Sequence, residues 1–194
     1  MEKSKLIWLE QLLLLSLLLT VVAGCSKLSD PNVKSIESAV KTAFTLPDKE
    51  LMEEVNNPDN AEKIGDVPDN ESTTDTSGEK NGIEKSMQER YGDIFTDYGY
   101  DKFTLGIASI YPSLAEQSGY QTRVEQIKTK QDKDHPERYR FEVKLNVITN
   151  QGEEKKTTMF GKAECNQKEG KIDSLNINDD GGLAQEMSES AAIP

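Results

Sequence analysis

The stretch YRFEVKLNV, Tyr139–Val147, decides the fold of this chain. Its residues alternate strictly between two types, and the apolar set is Tyr139, Phe141, Val143, Leu145 and Val147. A period of two predicts a β-strand with one buried and one solvated face, as in an antiparallel sheet. We therefore expect the charged set between them, Arg140, Glu142 and Lys144, to lie on a wet sheet face.

Three further strands are predicted around this one. TRVEQIKTK (122–130) precedes it, and KKTTMFGKAECNQ (155–167) and KIDSLNIND (171–179) follow it. The connecting segments NQGE and QKEGK each place a glycine between strand-like runs, which is typical of hairpin turns. The pattern predicts a four-stranded antiparallel sheet.

Helical spacing dominates the chain before the strands. In NVKSIESAVKTAFT (32–45) the apolar residues follow a spacing of three and four, and Asn32 is predicted to cap the helix. A second helix is predicted in LPDKELMEEV (46–55), with Leu51, Met52 and Val55 facing the core. A third is predicted from Ile83, with Gly99 as its breaker. Helices followed by consecutive strands indicate an α+β fold.

The N-terminus carries a targeting pattern. A predominantly apolar run, Leu12–Val22, follows two lysines and ends at Ala23-Gly24-Cys25. The run is shorter than the about 20 residues that span a bilayer, and it has the layout of a secretory signal. Val22-Ala23-Gly24-Cys25 resembles the lipobox of bacterial lipoproteins, which implies cleavage after residue 24 and a diacylglyceryl group on Cys25. A plain signal peptide or an uncleaved anchor is the alternative.

That resemblance implies a membrane partner and a location. Cys25 would begin the mature chain, residues 25–32 would form a lipidated tether, and two acyl chains would hold the protein stably on the membrane. The domain would then lie on the extracytoplasmic face of the cell membrane. We expect residues 65–82 to be a flexible insert and residues 180–194 to be a disordered tail, because both segments have few large apolar side chains.

The charge of the chain restricts its partners. The formal net charge is −12, which argues against nucleic acid, since affinity for phosphate backbones depends on basic contacts. The same excess argues against close contact with an anionic membrane surface. With Cys25 lipidated, Cys165 has no cysteine to pair with, and the chain contains no zinc-binding cysteine pattern.

A wider resemblance covers about Val33 to Asn178. It rests on FTLPDKELMEEVNNP, ERYGDIFTDYGYDKF, SGYQTRVEQIK, RYRFEVKLNV and TTMFGKAECNQKEGKIDSLNI. These segments resemble the nuclear-transport-factor-like, cystatin-like domains of uncharacterised lipoproteins from Gram-positive bacteria. The resemblance implies N-terminal helices on a curved four-stranded sheet over residues 33–179. Domains of this fold include enzymes, carriers and scaffolds, so the fold does not select a function.

Candidate chemical residues are few. His135 lies in the charged turn QDKDHPERY, where an exposed residue is expected rather than a general base. Cys165 shares a strand face with Gly161 and Ala163 and is expected to be a small buried side chain rather than a nucleophile.

Two further patterns suggest binding sites only weakly. In NINDDGG, the residues Asn176, Asn178, Asp180 and Gly181 can be aligned with the first six positions of a calcium-binding EF-hand loop. The twelfth position of that loop, which needs a bidentate Glu, then falls on Met187. Five tyrosines could line a groove, although packing of helix ends on the sheet is the simpler expectation. They are Tyr91, Tyr98, Tyr100, Tyr111 and Tyr120.

The sequence therefore predicts no catalytic residue, metal or cofactor. We expect a non-catalytic accessory lipoprotein that binds a protein partner or a small ligand at the cell surface. A small-molecule carrier, entered beside Gly161 and Ala163, and an enzyme using the cavity of the fold are the alternatives.

Overall fold

The computed structural model describes residues 30–57 and 82–192. The predicted signal peptide, the lipidation site Cys25 and nearly all of the predicted 65–82 insert lie outside these ranges. The described residues from Pro31 onward belong to one compact unit. Among the helices in these two ranges, none is long and apolar enough to cross a membrane.

The described chain is an α+β domain with a four-stranded antiparallel sheet, as predicted. The helices are α1 (Pro31–Ala43), α2 (Lys49–Val55), α3 (Gly82–Tyr91), α4 (Asp97–Leu105), α5 (Ile107–Ser118) and α6 (Leu183–Ala191). The strands are β1 (Gln121–Gln131), β2 (Arg138–Ile148), β3 (Glu154–Asn166) and β4 (Lys171–Asp179). They pair in the order β1-β2-β3-β4, so each strand lies next to its neighbour in sequence.

The alternation in β2 determines the two faces of the sheet. Every apolar residue of the predicted set, Tyr139, Phe141, Val143, Leu145 and Val147, is buried. In the register, Phe141 lies opposite Gly161 and Val143 lies opposite Met159, which is also buried. The prediction of one dry and one wet face is confirmed.

The helices cover the dry face. The α1 stripe predicted from the spacing is buried at Ile36, Val40 and Phe44, and the Phe44 ring meets that of Tyr111 edge-on at 4.7 Å. Burying one such aliphatic or aromatic side chain contributes about 1.5–3 kcal/mol. The core therefore lies between one helical layer and one sheet face.

Two predictions for residues of α1 and α2 are wrong. Pro31 is the first residue of α1, where its missing N–H costs nothing. Asn32 is not the cap; it lies inside the helix and its Nδ2 donates to the Tyr139 hydroxyl at 3.1 Å. In α2, Asp48 is the N-cap and accepts from the Leu51 amide at 3.1 Å. Val55 is exposed rather than in the core, since α2 ends at this residue.

Gly99 was predicted to end a helix, but it lies within α4. Helix α3 ends at Tyr91, and Thr96 caps α4 by accepting from the Gly99 amide at 3.3 Å. A side chain at position 99 would overlap the carbonyl oxygen of Ile172 in β4. Glycine is used here because the helix and the strand backbone touch.

The predicted disordered tail is wrong for Leu183–Ala191, which form α6. Leu183 and Met187, one helical turn apart, are both fully buried. Ser190 donates to the Tyr120 hydroxyl at 3.1 Å, and Lys155 of β3 forms an ion pair with Glu186. The domain therefore extends beyond the predicted boundary at residue 179, because Leu183 and Met187 are buried in the core.

Candidate functional site

The wet face of the sheet gathers positive charge. Side chains of directly paired residues in an antiparallel sheet project to the same side. Arg140 of β2 is paired with Lys130 of β1 and Lys162 of β3, so three cations form one row across the sheet. Beside this row, Lys128, Glu142 and Phe160 form the next. We call the outward side of β1, β2 and β3 the basic face.

The basic face has a charge opposite to that of the chain. Its eight cations are Arg123, Lys128, Lys130, Arg138, Arg140, Lys144, Lys156 and Lys162, and its four acids are Glu125, Glu142, Glu154 and Glu164. The sum is 8 − 4 = +4, within a chain whose net charge is −12. The sequence distributes these cations over three strands, and the register brings them together.

Half of these cations have no acidic partner in the described part of the chain. Ion pairs join Arg138 to Glu164 at 2.8 Å and Lys156 to Glu125 at 3.0 Å, and longer ones join Arg140 to Asp132 and Lys128 to Glu142. Within residues 30–57 and 82–192, no ion pair is formed by Arg123, Lys130, Lys144 or Lys162.

Phe160 is an apolar residue on this charged face. It is 46 % exposed and is paired with Glu142, with Thr158 and Lys162 two positions before and after it on the same side. The remaining outward residues of β2 and β3 are polar or charged, apart from Ile148 at the strand end. Phe160 is thus an exposed aromatic side chain with Lys162 beside it, paired with Glu142 of β2 and Asp179 of β4, and aromatic side chains contribute strongly to the energetics of interfaces.

A cleft of about 410 Å³ lies where the basic face meets the β1–β2 hairpin. Its lining includes Asp132, His135, Arg138, Arg140 and Lys162. The Asp132 carboxylate accepts the amides of Asp134 and His135, and these bonds and nearby Arg140 hold its pKa below the usual value. The His135 ring is exposed, 3.4 Å from the Glu137 carboxylate, in agreement with the expected exposed turn.

The start of α1 lies at the same end of the sheet. The Tyr139 hydroxyl accepts from Asn32 of α1 and from Gln131 of β1, both at 3.1 Å. Gln131 also donates to the Pro136 carbonyl at 2.7 Å. The chain therefore enters the domain beside the hairpin that carries the 410 Å³ cleft.

The helical layer exposes a second set of apolar residues. Leu105 is 81 % exposed, Tyr98 63 % and Ile110 52 %. Tyr98 and Leu105 are seven residues apart on α4 and so project from one side of the helix. Lys102 lies between them with its Nζ 4.3 Å from the centre of the Tyr98 ring. We call Tyr98, Leu105 and Ile110 the apolar helix surface.

The structure accounts for the residues that were considered as catalytic or carrier sites. Cys165 is buried on β3, as expected. The space beside Gly161, considered as a carrier entrance, is occupied, since a side chain there would overlap the Phe141 ring. Ala163 beside it is also buried.

The NINDDGG segment is a strand end followed by a helix start. The Asp180 carboxylate accepts the amides of Gly182 and Ala184 and the hydroxyl of Tyr111, all at 2.9 Å. Its oxygens therefore hold the N-terminus of α6, where an acid is favourable. In the part of the chain that the structure describes, no three acidic, His or Cys side chains form a metal-binding group.

The tyrosines divide between core and surface. Tyr91, Tyr111 and Tyr120 are buried, whereas Tyr98 is exposed. Burial raises the pKa of Tyr91, and burial together with the Asp180 carboxylate raises the pKa of Tyr111. Packing explains most of this group, as expected.

Sequence reasoning did not select Phe160, Leu105 or Ile110. Phe160 breaks the small-and-polar pattern of its strand, and Leu105 and Ile110 lie in a segment with no clear period. Only their exposure distinguishes them from core residues. Searches of family models, curated proteins and solved structures found no match to this chain.

Proposed function

We propose that this protein is a lipid-anchored, non-catalytic binding protein on the extracytoplasmic face of the cell membrane, and that a protein partner binds its apolar helix surface. The anchor would be a diacylglyceryl group on Cys25. The cystatin-like resemblance is part of this proposal, and the helical layer over an antiparallel sheet is compatible with it.

The exposure of Leu105 carries the partner-binding part of the proposal. A leucine that is 81 % exposed, with Tyr98 on the same side of α4 and Ile110 one turn into α5, leaves apolar area in water. Such clusters mark interaction sites more often than isolated apolar residues do. Tyrosine is also enriched at the energetic centres of interfaces.

Labelling with a clickable fatty acid tests the anchor. We expect label on the wild-type chain and on Cys165→Ser, and none on Cys25→Ser, which should leave the membrane fraction or accumulate as precursor. Cys165→Ser is the matched control because it removes the only other cysteine. Label that persists on Cys25→Ser would contradict the lipobox interpretation.

Site-specific photocrosslinking in intact cells tests the partner. A photoreactive amino acid at Leu105 should give a discrete protein adduct, and one at Ser38, an exposed position on α1, should not. The double variant Leu105→Asp/Ile110→Asp should lose the same partner in pull-downs from native membranes while remaining membrane-bound. Equal recovery with the double variant and with Ser38→Asp would contradict this use of the surface.

A further inference from the structure

We infer that the basic face docks on anionic lipid headgroups of the membrane that holds the anchor. The inference rests on the proposed lipidation of Cys25 and adds an orientation to it. The domain would lie with its sheet toward the bilayer and its helical layer toward the outside.

The length of the tether brings the basic face to the membrane. Only Ser26–Asp30 separate Cys25 from the first residue of α1. Five extended residues span at most about 18 Å. Because Asn32 contacts Tyr139, α1 begins at the end of the sheet where Arg138 and Arg140 lie.

The charge of the face matches an anionic surface. Lys130 and Lys162, which form no ion pair in the described ranges, flank Arg140, and Lys144 is the next cation along β2. Each basic side chain near an anionic leaflet raises the equilibrium constant for binding to that leaflet by about fivefold. Long lysine and arginine side chains can also extend their charged ends toward headgroups.

Phe160 supplies the apolar contact. Its ring stands exposed in the row next to the Lys130–Arg140–Lys162 row. Surface-bound proteins combine aromatic or aliphatic groups with lysine and arginine, the former entering the headgroup boundary and the latter pairing with lipid charge. The outward side of β1 to β3 presents both.

The charge outside the basic face favours the same orientation. The remainder of the chain carries −12 − 4 = −16, and that charge is repelled by an anionic surface. Leu105 and Ile110 lie on helices α4 and α5 rather than on the docked strands, so docking by β1 to β3 would leave them accessible to a protein partner. The two surfaces would then work together rather than compete.

The single substitution Phe160→Trp tests the inference. The only tryptophan of the chain is Trp8, which precedes the expected cleavage site, so the indole fluorescence of the mature variant reports on position 160 alone. The lipidated mature protein, which begins at Cys25, would be placed in vesicles of phosphatidylcholine with about 30 % phosphatidylglycerol or of phosphatidylcholine alone. We expect blue-shifted emission and quenching by brominated lipids in the anionic vesicles only, and loss of both in about 1 M NaCl, where the Debye length falls to about 3 Å.

Two charge variants complete the test. In the Phe160→Trp background, Lys130→Gln/Arg140→Gln/Lys162→Gln should lower the equilibrium constant for docking by about 100-fold. Lys41→Gln/Lys49→Gln/Lys85→Gln changes the net charge equally at exposed helical positions and should leave docking unchanged.

The outcomes separate the two proposals. An anchored Phe160→Trp protein whose indole emission stays that of a solvent-exposed group in anionic vesicles would overturn the docking inference and leave lipidation intact, and the face would then be free for an anionic protein. Equal quenching in both vesicle types, or equal loss in the two triple variants, would also overturn it. A chain that carries no lipid on Cys25 would overturn the inference together with the anchor.

Discussion

Gly99 allows α4 to lie directly against the backbone of β4. Thr96, just before the helix, donates its amide to the Ile172 carbonyl at 3.0 Å, and the Ile172 amide donates to the Ile94 carbonyl at 2.9 Å. The segment from Ile94 to Thr96 thus pairs with the open edge of β4 before α4 begins. Covering an edge strand in this way prevents it from pairing with another molecule.

Gly99→Ala is expected to destabilise the domain although alanine favours helix. Helix propensity alone would stabilise by about 1 kcal/mol, but the added methyl group meets the Ile172 carbonyl, and such overpacking costs about 1–3 kcal/mol. Urea unfolding should show a lower midpoint for Gly99→Ala and no loss for Ser113→Ala, an exposed helical control. A raised midpoint for Gly99→Ala would mean that α4 does not touch β4.

Tyr91 makes the domain sensitive to alkaline pH. Burial raises its pKa in the folded state, so above the unfolded pKa of about 10 the unfolded chain loses a proton that the folded chain keeps. The contribution of the protonated Tyr91 to the free energy of unfolding is therefore complete below about pH 10. It is lost as the pH rises above that value, by up to about 1.4 kcal/mol per pH unit.

Urea midpoints at pH 8 and pH 11 measure this effect. Tyr91→Phe should lose less stability between the two pH values than the wild type, because one ionising group is gone. Tyr98→Phe, which removes an exposed hydroxyl, should retain the wild-type loss. The same loss in all three proteins would contradict the buried position of Tyr91.

Helix α6 completes the core from the end of the described chain. It places Leu183 and Met187 among buried residues, and Asp180 holds its start while Ser190 binds Tyr120 near its end. Neither apolar residue is part of a longer stripe, so the local sequence alone does not predict a helix here. Its order depends on the rest of the domain.

Met187→Ala is expected to lower the free energy of unfolding by about 2–5 kcal/mol, the range for truncating a buried Met to Ala. Its neighbour Ser188 is exposed, and Ser188→Ala should change stability by no more than about 0.5 kcal/mol. Chemical denaturation of both variants provides the comparison. Indistinguishable midpoints would show that the segment after Gly182 is disordered after all.

The domain as a whole has one core and two unlike sides. All six described helices and strands β2, β3 and β4 contribute to a single cluster of buried residues, and β1 packs the half-buried Val124 and Ile127 against it. The outward side of β1 to β3 is the basic face, and α4 and α5 carry the apolar helix surface. In the proposed anchored state, such a difference would keep the basic face toward the membrane.

A fragment that begins at Asp30 should fold independently, since it contains the whole described core. We expect one cooperative urea transition, with coincident curves from far-UV and near-UV circular dichroism. Met187→Ala should move both curves equally. Separate transitions would show that the helices and the sheet are not one unit.

The sequence by itself determined the four strands, the helices α1 and α2, and the inner face of the sheet. Alternation in Tyr139–Val147 and the stripe at Ile36, Val40 and Phe44 are periodic over neighbouring residues, and burial of one face follows from that period. The exposed turn at His135 and the buried Cys165 were also predictable, because each followed from adjacent residues.

Only the tertiary structure decided where the charges and the exposed apolar residues meet. Lys130, Arg140 and Lys162 come from three strands, and the register makes them neighbours. The net charge of −12 is a sum over the chain and contains no positions, so it could not locate the basic face. The order of α6 and the contact of Gly99 with Ile172 likewise depend on residues distant in sequence, which local patterns do not encode.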